Sequence, residues 1–264
     1  MSAAAPQQHG SIIYLEDVTV DFDGFKALRE LNFYMDYHEL RVVIGPNGAG
    51  KTTLLDVISG KVRPATGRVI FGKNTDLAGR RENEIAALGI GRKFQTPSIF
   101  GNLTVRENLE LSVARLSKGV LATLRARLDG EQRRQVDETL ESIGLAGQAS
   151  ERAGGLSHGE KQWLEIGMVM VQQSELLLVD EPVAGMTDEE TEKTARLLRA
   201  VAEERSVLVI EHDMEFVRNI ARTVTVLHEG SVLCEGPVEQ VQQDERVMEV
   251  YLGRSRATAG AAHA

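Results

Sequence analysis

Apolar positions recur along this chain with two different periods. In IIYLEDVTVDF, residues 12–22, they alternate and are β-branched, which predicts a half-buried strand. LRVVIG, 40–45, is a short apolar run closed by glycine, the pattern of a strand covered on both faces. KTTLLDVISG, 51–60, predicts a helix that begins at Gly50 and stops at Gly60. TGRVIFG, 66–72, reads as another strand.

From 104 to 172 the spacing is almost wholly helical. TVRENLELSVARL opens on a Thr-x-x-Glu capping box at Thr104 and Glu107. GEQRRQVDETLESIGL is amphipathic. SHGEKQWLEIGMVMVQQ starts at Ser157 and sets Trp163, Ile166, Gly167 and Met170 on one face. After Ser174 the runs LLLV, VLVI and VTVL are separated by the helical stretches DEETEKTARLLRAVAEE and DMEFVRNIA. Strands and helices in turn predict an α/β fold, a parallel sheet with helices on both faces. A helical block of about 95–172 interrupts that alternation and reads as a sub-domain. There are no internal repeats.

Composition narrows the class. Hydrophobic residues make up 42% and charged residues 26% of 264, the balance of a globular protein with a sizeable core. The net charge is -9. An acidic nucleic-acid binder needs a concentrated basic patch. Arg125, Arg127, Arg133 and Arg134 are instead interleaved with acids, so no nucleic-acid partner is expected. One cysteine, Cys234 in the strand-like SVLCEG, permits no internal disulfide and reads as a small apolar residue in a reducing compartment. No run of about 18 apolar residues is present, so any link to a membrane would pass through a partner. Residues 1–11 and 254–264 are rich in small residues and read as flexible tails.

Two segments carry chemistry. VVIGPNGAGKTTLL holds Gly45-x-x-x-x-Gly50-Lys51-Thr52 between an apolar run and a helix, the context a phosphate loop requires. Gly45, Pro46, Asn47, Gly48, Ala49, Gly50, Lys51, Thr52 and Thr53 are its candidate binders. Converging amides and a helix N-terminus suit phosphate oxygens. Lys51 supplies a point charge for the β- and γ-phosphates, and the Thr52 hydroxyl a ligand for Mg²⁺. In LLLVDEP, Asp180 and Glu181 stand at the C-terminal end of an apolar strand expected to be central, where ligands lie in open α/β sheets. Adjacent carboxylates there need a cation. Mg²⁺ offsets Asp180, leaving Glu181 to act on water as general base.

These motifs, with Gln95 in GRKFQTPSIF, LSHGE at 156–160 and His212 in VIEHDM, make the chain resemble the ATP-binding cassette of ABC transporters over about 12–253. The resemblance implies a P-loop NTPase (RecA-like) core with an N-terminal antiparallel β sub-domain and an inserted α-helical sub-domain. It implies ATP hydrolysis between two cassettes, with Ser157, Gly159 and Glu160 facing the γ-phosphate held by the other chain. Gln95 would sense the γ-phosphate and Mg²⁺ and begin the surface facing the membrane partner. His212 would hold the γ-phosphate and the attacking water. Phe22 matches the aromatic that stacks on adenine, with Phe25 a competing choice. The catalytic set is then Glu181, His212 and Lys51, and the metal set Thr52, Gln95 and Asp180.

Three positions depart from the family pattern. His158 replaces the first glycine after the serine, and Thr187 stands where aspartate is usual. Glu160 also stands where glutamine is commoner. PVAGMT, the insertion around 113–135 and the ending EVYLGR are similar to the cassettes of branched-chain amino acid importers. Within that group, GRKFQTPSIFGNLTVRENLELS and LSHGEKQWLEIGM look most like the urea and short-chain amide importers. The partners implied are a second cassette, two permease subunits and, indirectly, a solute-binding protein, at the cytoplasmic face of the inner membrane. A non-transport cassette ATPase acting on ribosomes or DNA usually carries two cassettes or a long coiled-coil insertion, neither of which is here. A catalytically silent adaptor fits poorly with Lys51, Asp180, Glu181 and His212 all in place.

Overall fold

The computed structural model describes residues 10–93, 99–114 and 128–250. Its strands are β1 (Ser11–Phe22), β2 (Phe25–Asp36), β3 (Leu40–Ile44), β4 (Thr66–Phe71), β5 (Thr75–Asp76), β6 (Ile90–Lys93), β7 (Leu176–Asp180), β8 (Ser206–Ile210), β9 (Thr223–His228) and β10 (Ser231–Gly236). Its helices are α1 (Lys51–Ile58), α2 (Glu82–Ala87), α3 (Val105–Ala114), α4 (Gly130–Ser142), α5 (His158–Met170), α6 (Asp188–Glu204), α7 (Met214–Ile220) and α8 (Val238–Gln243).

Two sheets form. β2-β1-β4-β5 is antiparallel. The larger sheet runs β10-β9-β3-β8-β7-β6 and is parallel except for β10, which pairs antiparallel with β9 at the edge. The expected core is therefore present, and β7 lies inside it between β8 and β6. Alternation along each strand divides the buried side chains between two layers. Val42, Ile44, Leu177 and Val179 pack with the helices α3 to α6. Val43, Leu176 and Leu178 pack with α1 and the antiparallel sheet. Burying each such side chain contributes about 1.5–3 kcal/mol, so both faces of the sheet are needed to hold its ends in place.

The helical block is less continuous than its periodicity predicts. α4 ends where Leu145 N–H reaches back to the Leu140 carbonyl (2.9 Å) as the chain turns at Gly144. Only short 3-10 turns, Ala146–Gln148 and Ala153–Gly155, precede α5. The apolar residues in this stretch, Leu145, Ala153 and Leu156, are buried all the same. They mimic helical spacing because they fill the gap between α3, α4 and α5. Residues 115–127 of the insertion lie outside the described residues. Cys234 is half-buried at the edge of the core.

Candidate active site

The phosphate loop bridges β3 and α1. Gly45 and Gly50 have positive φ, 150° and 100°. A Cβ at Gly45 would collide with the Leu227 carbonyl, and one at Gly50 would sit 2.6 Å from the Ala27 carbonyl. The loop is thus pressed against β9 and β2, where only glycine fits. No side chain caps α1, so the helix opens directly onto the loop, the arrangement suited to phosphate oxygens. Lys51 Nζ donates to the Gly45 and Pro46 carbonyls, at 2.7 and 3.2 Å. Its charge is already held over the concavity where a triphosphate belongs.

Asp180 ends β7 and is 3% exposed. Burial raises its pKa, the neighbouring Glu181 raises it further, and the cations Arg92 and Lys93 pull the other way. Arg92 is committed to Asp56 (2.6 Å) and Ser59 (2.8 Å). A buried carboxylate in that setting, at the same strand ends as the Thr52 hydroxyl, suits a hard divalent cation such as Mg²⁺.

Glu181 follows with φ 44°, a left-handed backbone uncommon for a residue with a Cβ. Its N–H continues the sheet to the Ile210 carbonyl at 3.0 Å. The backbone turn lifts the Glu181 carboxylate out of the core to 29% exposure, whereas Asp180 stays buried. His212 Nδ1 lies 3.6 Å from both Glu181 Oε1 and Glu211 Oε2, with its ring 65% exposed. Glu181 and His212 therefore converge from the end of β7 and from the loop after β8.

Two residues here escaped the sequence reading. Glu211, 1% exposed, accepts the N–H groups of His212 (2.7 Å) and Asp213 (3.1 Å) and so fixes the histidine loop. Lys93, buried at the end of β6, lies 4.0 Å from Glu165 of α5. Burial pushes the Lys93 pKa down, opposed by Glu165, Asp180, Glu211 and Glu181. The signal for both was a charged residue next to an apolar strand run, which sequence alone does not separate from a solvated strand end.

Ser157 is the N-cap of α5. Its Oγ accepts the Glu160 N–H (3.2 Å), and the Glu160 carboxylate accepts the Ser157 N–H (2.8 Å) and the Gln148 amide. The Ser157 N–H bond is the largest influence holding the Glu160 pKa below its usual value. Glu160 thereby closes a capping box and presents only acceptor oxygens, so its job is to hold the helix start. The Ser157 hydroxyl also donates to the Glu160 carboxylate, which adds to the lowering of its pKa. Among the described residues, the hydrogen bonds of Ser157, His158 and Glu160 go to the first turns of α5, to Gln148 and to Ala184; none reaches the phosphate loop. Gly159 is buried, and a Cβ there would strike Glu190 of α6.

Phe22 and Phe25 flank the Asp23–Gly24 turn between β1 and β2 and are 48% and 60% exposed. β2 touches the phosphate loop at Ala27, so both rings remain candidates for stacking on a base. Gln95 lies outside the described residues.

A phosphate loop and an acid pair built on the strand ends of one parallel sheet mark this as a phosphate-loop ATPase. The chain belongs to the ABC transporter family, whose model it matches over residues 28–184. Residues 231–257 match the family described as branched-chain amino acid ATP-binding cassette transporter. The high-affinity branched-chain amino acid transport ATP-binding protein LivG of Escherichia coli K12 is 33% identical over 252 residues, covering 92% of this chain and 98% of that one. The ADP conformation of MJ1267, an ATP-binding cassette of an ABC transporter, superposes with a TM-score of 0.83 at 29% identity, covering 92% of this chain and 99% of that chain. A dimeric post-hydrolysis structure of the cassette MJ0796 bound to ADP and Pi superposes at 0.72 with 25% identity, covering 86% and 98%. The protein is an ATP-binding, ATP-hydrolysing cassette of an ABC transporter. Such cassettes dimerise and work with permeases, and no helix among the described residues is long and apolar enough to cross a membrane.

Proposed function

We propose that this chain hydrolyses Mg-ATP between two head-to-tail cassettes and thereby energises uptake of a branched-chain amino acid or a small amide. The observation that carries the shared site is the α5 start. Ser157 caps α5 and, among the described residues, makes no hydrogen bond to its own phosphate loop, so the phosphate it suits is a second chain's. Lys51, the loop amides and Thr52 hold the triphosphate in one chain. Glu181 takes a proton from the attacking water, and His212, 3.6 Å from that carboxylate, orients the water and the γ-phosphate.

Mg²⁺ would be held by Thr52 and Asp180, with Gln95 reaching it, and would offset charge on the phosphate oxygens. The donor set supports this, since burial disfavours the charge of Asp180 and a cation restores it. Phe22, or Phe25 beside it, would cover the adenine face. Two permease subunits would receive the movement at the surface around Gln95, Ile99 and Phe100, of which Phe100 is exposed. That would place the chain at the cytoplasmic face of the inner membrane, served by a solute-binding protein on the other side.

The named relatives favour branched-chain amino acids, and the stretches around Gln95 and Ser157 favour urea and short-chain amides. Uptake of labelled leucine and labelled urea in cells with and without this chain separates them. Loss of one uptake on deletion, restored by the wild-type chain and not by Glu181→Gln, supports the reading. Unchanged uptake of both contradicts it.

A further inference from the structure

Two of the departures from the family pattern, His158 and Thr187, fall at one joint. His158 lies in the first turn of α5, directly after Ser157. Its Nε2 lies 3.0 Å from the carbonyl oxygen of Ala184, three residues past Glu181, and a Cβ at Gly185 would come within 3.7 Å of the ring. Gln162, one turn on and buried, places its amide 3.0 Å from the same ring nitrogen and 3.4 Å from the same carbonyl.

In the tautomer that carries its proton on Nε2, the ring donates to the Ala184 carbonyl oxygen. Gln162 Nε2 donates to the same carbonyl at 3.4 Å, so two side chains of α5 converge on Ala184.

Thr187 completes the joint from the other side. As N-cap of α6 it accepts the Glu190 N–H (3.3 Å), and Glu190 accepts the Thr187 N–H (2.9 Å). The Glu190 side chain lies against Gly159. The α5 start is therefore joined to the loop after Glu181 through Ala184 and to the first turn of α6 through Glu190. A glycine at 158 would leave the Ala184 carbonyl only the longer, 3.4 Å contact from Gln162.

We propose that His158 is a positioning residue for ATP hydrolysis: by clasping the Ala184 carbonyl it makes the serine-bearing start of α5 and the loop that continues from Glu181 one rigid unit. Docking of Ser157 on one nucleotide then sets Glu181 over the other. The inference rests on the shared-site reading above and adds to it the link between the two sites.

The test measures steady-state ATP hydrolysis, melting temperature and ATP-driven pairing in the chain with its transporter partners. His158→Ala is expected to lower kcat about tenfold, as loss of roughly 1.4 kcal/mol of alignment would, with KM for ATP and melting temperature nearly unchanged. His158→Gln, whose amide has similar reach, is expected to recover most of kcat. Unchanged kcat in His158→Ala, or a loss that His158→Gln does not recover, overturns the clasp. Ser157→Arg is run beside them. If it leaves hydrolysis and pairing intact, the shared-site reading fails; if it abolishes both while His158→Ala is active as wild type, only the clasp fails.

Discussion

Two glycine-bearing helix starts in this molecule look alike in sequence and are built differently. α1 begins on Gly50 with a left-handed backbone and no side-chain cap. α5 begins on Ser157, whose hydroxyl and whose Glu160 partner close a full capping box. The first start opens on a loop that Lys51 spans. The second is closed on itself by the Ser157–Glu160 pair. On the function proposed above, one chain carries a nucleotide holder at α1 and a nucleotide cover at α5.

Removing chemistry at the holder breaks the comparison most severely. Glu181→Gln is expected to bind ATP normally and to lose about 10²–10⁴-fold in turnover, the range for a general base. ATP-bound pairs should accumulate, which phosphate release and sedimentation together would register. Near wild-type hydrolysis would remove Glu181 from that role. Lys51→Met comes next. It deletes a charged donor worth about 1.5–3 kcal/mol, so nucleotide affinity measured by titration calorimetry should fall by one to two orders of magnitude.

Asp180→Asn sharpens the same end of the sheet. A carboxyl whose folded pKa is raised favours the fold when protonated, and that contribution is lost as pH rises through the folded value. At neutral pH the charged Asp180 therefore weighs against the nucleotide-free fold. Asparagine should raise the melting temperature of that form by about 1–3 °C, while Mg²⁺ no longer enhances ATP affinity. A lowered melting temperature would show that Asp180 has a partner which compensates its burial.

The smallest effect belongs to the cover. Glu160→Gln keeps the capping geometry and should lower stability modestly at pH 7, where the wild-type charge contributes. The Glu160 pKa is lowered, so its charge-linked contribution is present above the ordinary value of 4.5 and lost as pH falls below it. Urea titrations should show wild type and variant converging at acid pH.

The parallel core was legible because its strands, such as LRVVI and LLLVD, are unbroken apolar runs that only a doubly covered sheet explains. The holder was equally legible, since its glycines are fixed by close approach to the neighbouring carbonyls of Ala27 and Leu227. The turns between α4 and α5 were not, because Leu145, Ala153 and Leu156 keep a helix-like rhythm while serving tertiary packing. Glu211 and Lys93 were hidden for a related reason. Their burial follows from how β6, β8 and α5 stack, which no local pattern encodes. His158 was visible as a departure from the family, but its contact with Ala184 exists only once α5 lies against the loop after Glu181.

The most direct test of a nucleotide shared between chains is ATP-driven pairing, measured by sedimentation with Mg-ATP in a Glu181→Gln background, in the presence of the transporter partners. Cassette pairs should form, and adding Ser157→Arg should abolish them while nucleotide affinity of the single chain stays within about twofold. Undiminished pairing with Ser157→Arg, or a parallel loss of affinity in the isolated chain, would mean that Ser157 does not cover a neighbour's phosphate.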